Sequence, residues 1–255
     1  MQAYRLTIEY DGARYSGWQE QKNARTVQGI LRKAITEVAG ECDLGGAGRT
    51  DAGVHALAQV AHLRIHRAVD LTTFLPRING MLPQDIHVRR IDKVPHRFHA
   101  RHDAVARFYL YQVALRRTAF HKRYVWWVRD PIDVDLVRRR LEELHGLRDF
   151  GAFADKRRDE EDSGRVLLHD CCAVREGDML LLRLGGSHFL WRMVRRIVGV
   201  LVTVGTGRLA DGPLVELARR VDVPSLTAPA SGLFLEYVRY QGDPPPPPVR
   251  AVTPL

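Results

Sequence analysis

The stretch GAGRTDAGVHA, residues 46 to 56, sets Arg49 and Asp51 two positions apart among glycines and alanines, with His55 four residues further on. In an extended chain, positions two apart project to one side, so Arg49 and Asp51 would face one way and Thr50 the other. Gly48 and Gly53 allow positive φ and close approach by another molecule. A guanidinium beside a carboxylate favours its ionised form, and an ionised carboxylate can attack carbon or take a proton. His55 could serve it as acid or base, the arrangement of a hydrolase, but no serine or cysteine nucleophile stands at matching spacing. A phosphate-cradling loop is the weaker reading: no Gly-Lys-Ser/Thr follows, and Asp51 replaces the last glycine of a GxGxxG, where its charge would repel phosphate. The bland alternative is a surface turn with an exposed ion pair.

The histidines give a poorer signal. His96, His99 and His102 fall at every third position, and His62 and His66 are four apart. Arg97 and Arg101 interleave with the triplet, and no cysteine or acidic cluster completes a shell, so no metal site is expected and the rings read as solvated or RNA-facing. Cys42, Cys171 and Cys172 form no CxxC pair, which fits a reducing cytoplasm better than a disulfide framework. No N-terminal apolar leader is visible, and the run IVGVLV near 197–202 is far short of a bilayer span, so neither secretion nor membrane insertion is expected. The chain has 255 residues, 45% of them hydrophobic, with 39 Lys and Arg against 30 acidic residues and a net charge of +9. That composition can bury a core, and its charge favours a polyanion, nucleic acid first, as partner.

The elements that must position these residues follow from periodicity. YRLTIEY (4–10) alternates as a strand with one buried face. Thr26 reads as the N-cap of a helix over 27–39, with Gly40 at its stop. A strand is predicted over 58–65, a short or kinked helix over 71–82 because of Pro76, and a strand over 85–94. The second half restarts with RFYLYQVAL (107–115) as a strand, then a helix over 133–145 and a hairpin around EGD at 176–178. A helix over 187–204 carries an apolar stripe with Arg192, Arg195 and Arg196 on its other side, a solvated face or a phosphate-facing one. A short helix near 213–221 and a strand over 232–240 close the half. DKRRDEED (155–162) reads as a solvated loop, and the proline run 244–248 as a polyproline II tail outside the core. The organisation is therefore α+β, in two halves of strands with helices on one sheet face: 1–105 with Asp51, 106–241, and a Pro-rich tail 242–255.

YDGARYSGWQEQ (10–21), TVQGIL (26–31), GAGRTDAGVHA, LPQDI (82–86), FHAR (98–101), FLWRMVRRIVG (189–199) and LTAPASGLFLEYV (226–238) occur in this order along nearly the whole chain. Together they closely resemble the tRNA pseudouridine synthase A family. The resemblance implies two RRM-like or ferredoxin-like halves with antiparallel sheets around a central catalytic cleft, a homodimer, no metal and no organic cofactor. It implies isomerisation of uridine to pseudouridine at positions 38, 39 and 40 of the tRNA anticodon stem-loop. Asp51 then takes the catalytic place, as nucleophile or base at the ribose. Arg49 pairs with it and helps flip the nucleotide, Tyr109 of RFYLY stacks on the uracil, and His55 and Arg195 are expected to bind substrate. Two rivals share these residues, a non-catalytic RNA-binding module and an Asp/His hydrolase that would shorten its RNA.

Overall fold

The computed structural model describes residues 1–155 and 164–255, so the charged stretch read as a loop lies, beyond Asp155, outside the described residues. In chain order the elements are β1 (Gln2–Tyr10), α1 (Val27–Ala39), β2 (Cys42–Gly46), β3 (His55–Ile65), α2 (Leu71–Met81), β4 (Ile86–Val94) and β5 (Ala104–Ala114). There follow β6 (Trp126–Trp127), α3 (Val134–Glu142), β7 (Gly146–Asp149), β8 (Arg165–Glu176), β9 (Met179–Gly186), α4 (Met193–Gly205), α5 (Leu214–Ala218) and β10 (Leu233–Tyr240). Contacts divide the chain into two units, Met1–Val105 with Phe234–Pro244, and Ala106–Leu233 with Pro245–Leu255. Each is α+β with mostly antiparallel pairing, the class the sequence predicts.

In unit 1 β1 lies between β3 and β4, antiparallel to both. Its alternation does what the pattern demands, burying Tyr4, Leu6, Ile8 and Tyr10. Thr26 caps α1 by accepting from the Gly29 amide, and Val27, Leu31, Ala34 and Ile35 form its buried stripe. The helix α2 runs through Pro76, and Asp70 caps it by accepting from the Thr72 amide. Two features carry no local signal. β2 pairs with the far end of β3, and β10 adds to β3 in parallel through Phe234–His55 and Leu235–Ala56. Parallel pairing between residues nearly 180 positions apart leaves no hairpin signature in the sequence.

Unit 2 runs β5–β9–β8–β7 antiparallel, with the short β6 parallel to β5. Gly177, at φ 57°, turns the β8–β9 hairpin predicted from EGD. The helix α4 starts at Met193, six residues later than its apolar spacing suggests, because Arg192 sits in the left-handed region at φ 63° and breaks the turn before it. The proline tail is not outside the fold. The Arg183 guanidinium donates to Pro247 O at 2.6 Å, Val252 N to Gln112 Oε1 at 2.7 Å and Ala251 N to Glu176 Oε2 at 3.2 Å. Backbone groups of the tail, one carbonyl and two amides, are thus paired with side chains of β5, β8 and β9.

Candidate active site

The loop 47–54 joins β2 to β3 and carries Arg49 and Asp51; it is irregular, and its shape comes from bonds at both ends. Ala47 N donates to Val60 O at 2.7 Å. The Gln59 side chain, fully buried, clamps Gly48 by donating to its carbonyl at 2.8 Å and accepting from its amide at 3.4 Å. Thr50 is held twice, its Oγ1 2.7 Å from the Tyr10 hydroxyl and its carbonyl accepting from Trp18 N at 3.1 Å. Beyond Asp51 a tight turn closes, with Val54 N donating to Asp51 O at 3.1 Å and Gly53 N to Tyr15 O at 3.2 Å. Asp51 is half-buried, on a backbone fixed before and after it.

The neighbouring motifs exist to make that grip. The segment 11–18 lies so close against the loop that a Cβ on Gly12 would come within 1.9 Å of Val54 O, and one on Gly17 within 2.4 Å of Thr50 O. Gly17 also adopts φ +89°, which only glycine takes without strain. Asp85 of LPQDI holds this segment from the other side. Its carbonyl accepts from Asp11 N at 3.0 Å, and its carboxylate accepts a short hydrogen bond from the Tyr15 hydroxyl. Burial and the Asp85 charge push the Tyr15 phenol up to about 12, so it stays a donor at neutral pH.

The structure redraws three of the expected roles. His55 is 1% exposed, and its ring stacks on Phe234 at a centroid distance of 4.8 Å. Its Nδ1 lies 3.0 Å from both Gly12 N and Asp11 Oδ1, so the imidazole is used up inside the unit. The expectation that it touches substrate gives way to a supporting role beneath the loop, because an enclosed ring has no face left for a ligand. Arg49 is exposed, and its Nε donates to Gln19 Oε1 at 3.2 Å rather than to Asp51; residues 49–51 are not a strand, so the alternation that would have aligned the two side chains does not apply. On α4, Arg196 is buried at 4% exposure, 3.5 Å from Asp155, and burial lowers its pKa. It is therefore part of the interior of unit 2, neither solvated nor facing phosphate.

Tyr109 and Arg195 belong to unit 2. Tyr109 lies on β5, 8% exposed, with Phe189 edge-on at a centroid distance of 5.0 Å. The sequence singles out Tyr109 but gives no sign of this ring partner 80 residues away. Arg195 and Ala228 exchange bonds, the guanidinium donating to Ala228 O at 2.8 Å and Ala228 N to Arg195 O at 3.0 Å. A Cβ on Gly199 would meet Leu226 O at 1.6 Å, so FLWRMVRRIVG and LTAPASG are two sides of one contact.

The carboxylate thus sits on a pinned glycine-rich loop in an α+β chain of net charge +9. The model of the tRNA pseudouridine synthase family matches residues 6–103 and 141–241, and the chain belongs to that family. Its members isomerise uridine, and this protein is an isomerase. It is 36% identical to tRNA pseudouridine synthase A of Ruminiclostridium cellulolyticum over 94% of this chain and 100% of that one. It is 38% identical to tRNA pseudouridine synthase A of Citrifermentans bemidjiense, over 94% and 98% of the two chains. No described helix is long and apolar enough to cross a membrane.

Proposed function

We propose that the protein converts uridine to pseudouridine at positions 38, 39 and 40 of the tRNA anticodon stem-loop, with Asp51 as the catalytic carboxylate. The reaction breaks the N1–C1′ bond, turns the uracil while it stays bound, and rejoins it through C5. The product is an isomer, so nothing is consumed. Asp51 acts at the ribose, either attacking C1′ or removing the C2′ proton, and both routes need an ionised carboxylate held at one atom. The observation that supports the reading is the fixation of the Asp51 backbone at residues 47, 48, 50, 53 and 54 within the motif that the family resemblance assigns to catalysis.

A base within a stem must leave its stack before Asp51 can meet its ribose, at a cost of a few kcal/mol. Stacking on Tyr109 returns about 1–3 kcal/mol. Arg49 is exposed, with its Nε on the neutral Gln19, and fills the space the base vacates. Modification of three neighbouring positions calls for recognition of the shape and backbone of the stem-loop rather than of base edges. The working form is a homodimer acting on tRNA in the cytoplasm.

The test is to incubate unmodified tRNA with the protein, map pseudouridine along it and measure its length. Intact tRNA with pseudouridine at 38–40 is expected. Shortened RNA would show a hydrolase, unmodified RNA that is nevertheless bound would show a binding module, and pseudouridine elsewhere would move the target site.

A further inference from the structure

Gln59 is a polar side chain in an apolar setting. It lies on β3 at 0% exposure, in a stretch where Ala56, Val60, Ala61 and Leu63 are buried as well. A carboxamide enclosed without partners is costly, so its presence there calls for a reason. Nε2 donates to Gly48 O at 2.8 Å and Oε1 accepts from Gly48 N at 3.4 Å, so both ends of the carboxamide meet one residue. Gly48 offers one donor and one acceptor, and a single orientation of the carboxamide matches both.

The strand register explains why a side chain is used at this point. β2 pairs antiparallel with β3 as far as Gly46 opposite Ala61, a register that two residues further on would set Gly48 opposite Gln59. The ladder ends before that. Ala47 N still reaches Val60 O at 2.7 Å, but Gly48 meets the Gln59 carboxamide, while the Gln59 main chain faces Ile8 of β1. Side chains stand off the plane of a sheet, so a chain that exchanges a backbone partner for a side-chain one leaves that plane. Gln59 therefore sets where β2 stops and where the loop lifts off, three residues before Asp51.

We propose that Gln59 is a positioning residue for the reaction, its carboxamide fixing the height of the loop over β3 and through it the place of the Asp51 carboxylate. The proposal rests on the function proposed above, because Gln59 acts only through Asp51. An enclosed side chain meets no substrate, so its loss should fall on kcat and leave tRNA affinity largely intact.

The experiment compares Gln59→Glu and Gln59→Met with the wild-type full chain in steady-state turnover of tRNA. Gln59→Glu keeps the shape and an acceptor for Gly48 N, but in its ionised form it has no proton to give Gly48 O. Enclosure raises the pKa of the introduced carboxyl, and protonation restores the donor. Relative to wild type, kcat of Gln59→Glu should be about ten- to a hundredfold down at about pH 8 and recover severalfold at about pH 6, with KM within about twofold. Wild type carries the same ionisations of Arg49, Asp51 and the Tyr10 hydroxyl, so the ratio removes them. Gln59→Met should be slow at both pH values, and its Gly48 amide should exchange hydrogen faster than in wild type, a readout that needs no catalysis. A purely structural role would lower the melting temperature of both variants without recovery of kcat on acidification. That result, wild-type kcat in Gln59→Met, or a loss confined to KM would each overturn the proposal. Failure of the function reading looks different: Asp51→Asn would then turn over normally, whatever the Gln59 variants do.

Discussion

At the scale of single residues the site separates exposed side chains from enclosed ones. Arg49 is exposed and Asp51 half-buried, whereas His55, the first residue past the turn, is enclosed between Phe234, Gly12 and Asp11. A sequence cannot make that distinction, because all three are polar residues in one motif and only the backbone path decides which side chain turns inward. Tyr109 carries a residue-scale prediction. Replacing it by Phe keeps a ring against Phe189 and should cost little in kcat/KM, whereas Tyr109→Ala should lower kcat/KM roughly 5- to 150-fold, the equivalent of about 1–3 kcal/mol of lost base stacking. Steady-state kinetics of both variants, with circular dichroism to confirm folding, checks it. Equal losses in the two would mean that the hydroxyl, not the ring face, matters.

At the scale of elements, the strands and helices of unit 1 were largely legible. The alternation of β1, the Thr26 cap of α1 and the Asp70 cap of α2 are local signals, and local physics determines them. β2 was hidden because Gly45 and Gly46 are poor strand formers, present for the closeness they allow and not for any β preference. The first residues of the helix expected over 187–204 are not helical, and the left-handed Arg192 that stops them has no sequence signature. Packing of the glycine loops gives a sharp prediction: Gly12→Ala drives a methyl into the Val54 carbonyl and should destabilise unit 1 by about 2 kcal/mol or more, a drop visible in thermal denaturation. Turnover should fall further than stability explains, because the same shift moves Asp51. The buried His62 of β3 predicts a pH dependence. Burial first, and then the nearby His99, push the His62 pKa down to about 4, against an unfolded value near 6.5. Asp43 opposes the shift and Arg64 reinforces it. The folded state therefore prefers the neutral ring. Its contribution is complete above about pH 6.5 and is lost progressively as pH falls from there toward 4, where protonation favours the unfolded chain. Melting temperatures between pH 7.5 and 4.5 should show this loss, and it should shrink in His62→Gln.

At the scale of the whole molecule, net charge and the order of the motifs said more than any single element. The charge of +9 requires that tRNA affinity depend on salt: between about 50 and 200 mM it should fall at least tenfold, as measured by filter binding. Affinity that barely changes would contradict a backbone-reading interface. The long-range features were beyond a reading of the sequence. The return of the chain to unit 1 at Phe234 and the docking of the proline tail on unit 2 are set by pairings between residues far apart, which local periodicity does not encode. The central claim reduces to one carboxylate acting on ribose, and the release of tritium from tRNA labelled at uridine C5 tests it most directly, since C5 loses its hydrogen only when the new glycosidic bond forms there. The wild-type protein should release label, while Asp51→Asn, nearly the same in shape, should bind tRNA normally and release it more than about a thousandfold more slowly. Release by Asp51→Asn at the wild-type rate would place the chemistry on another group.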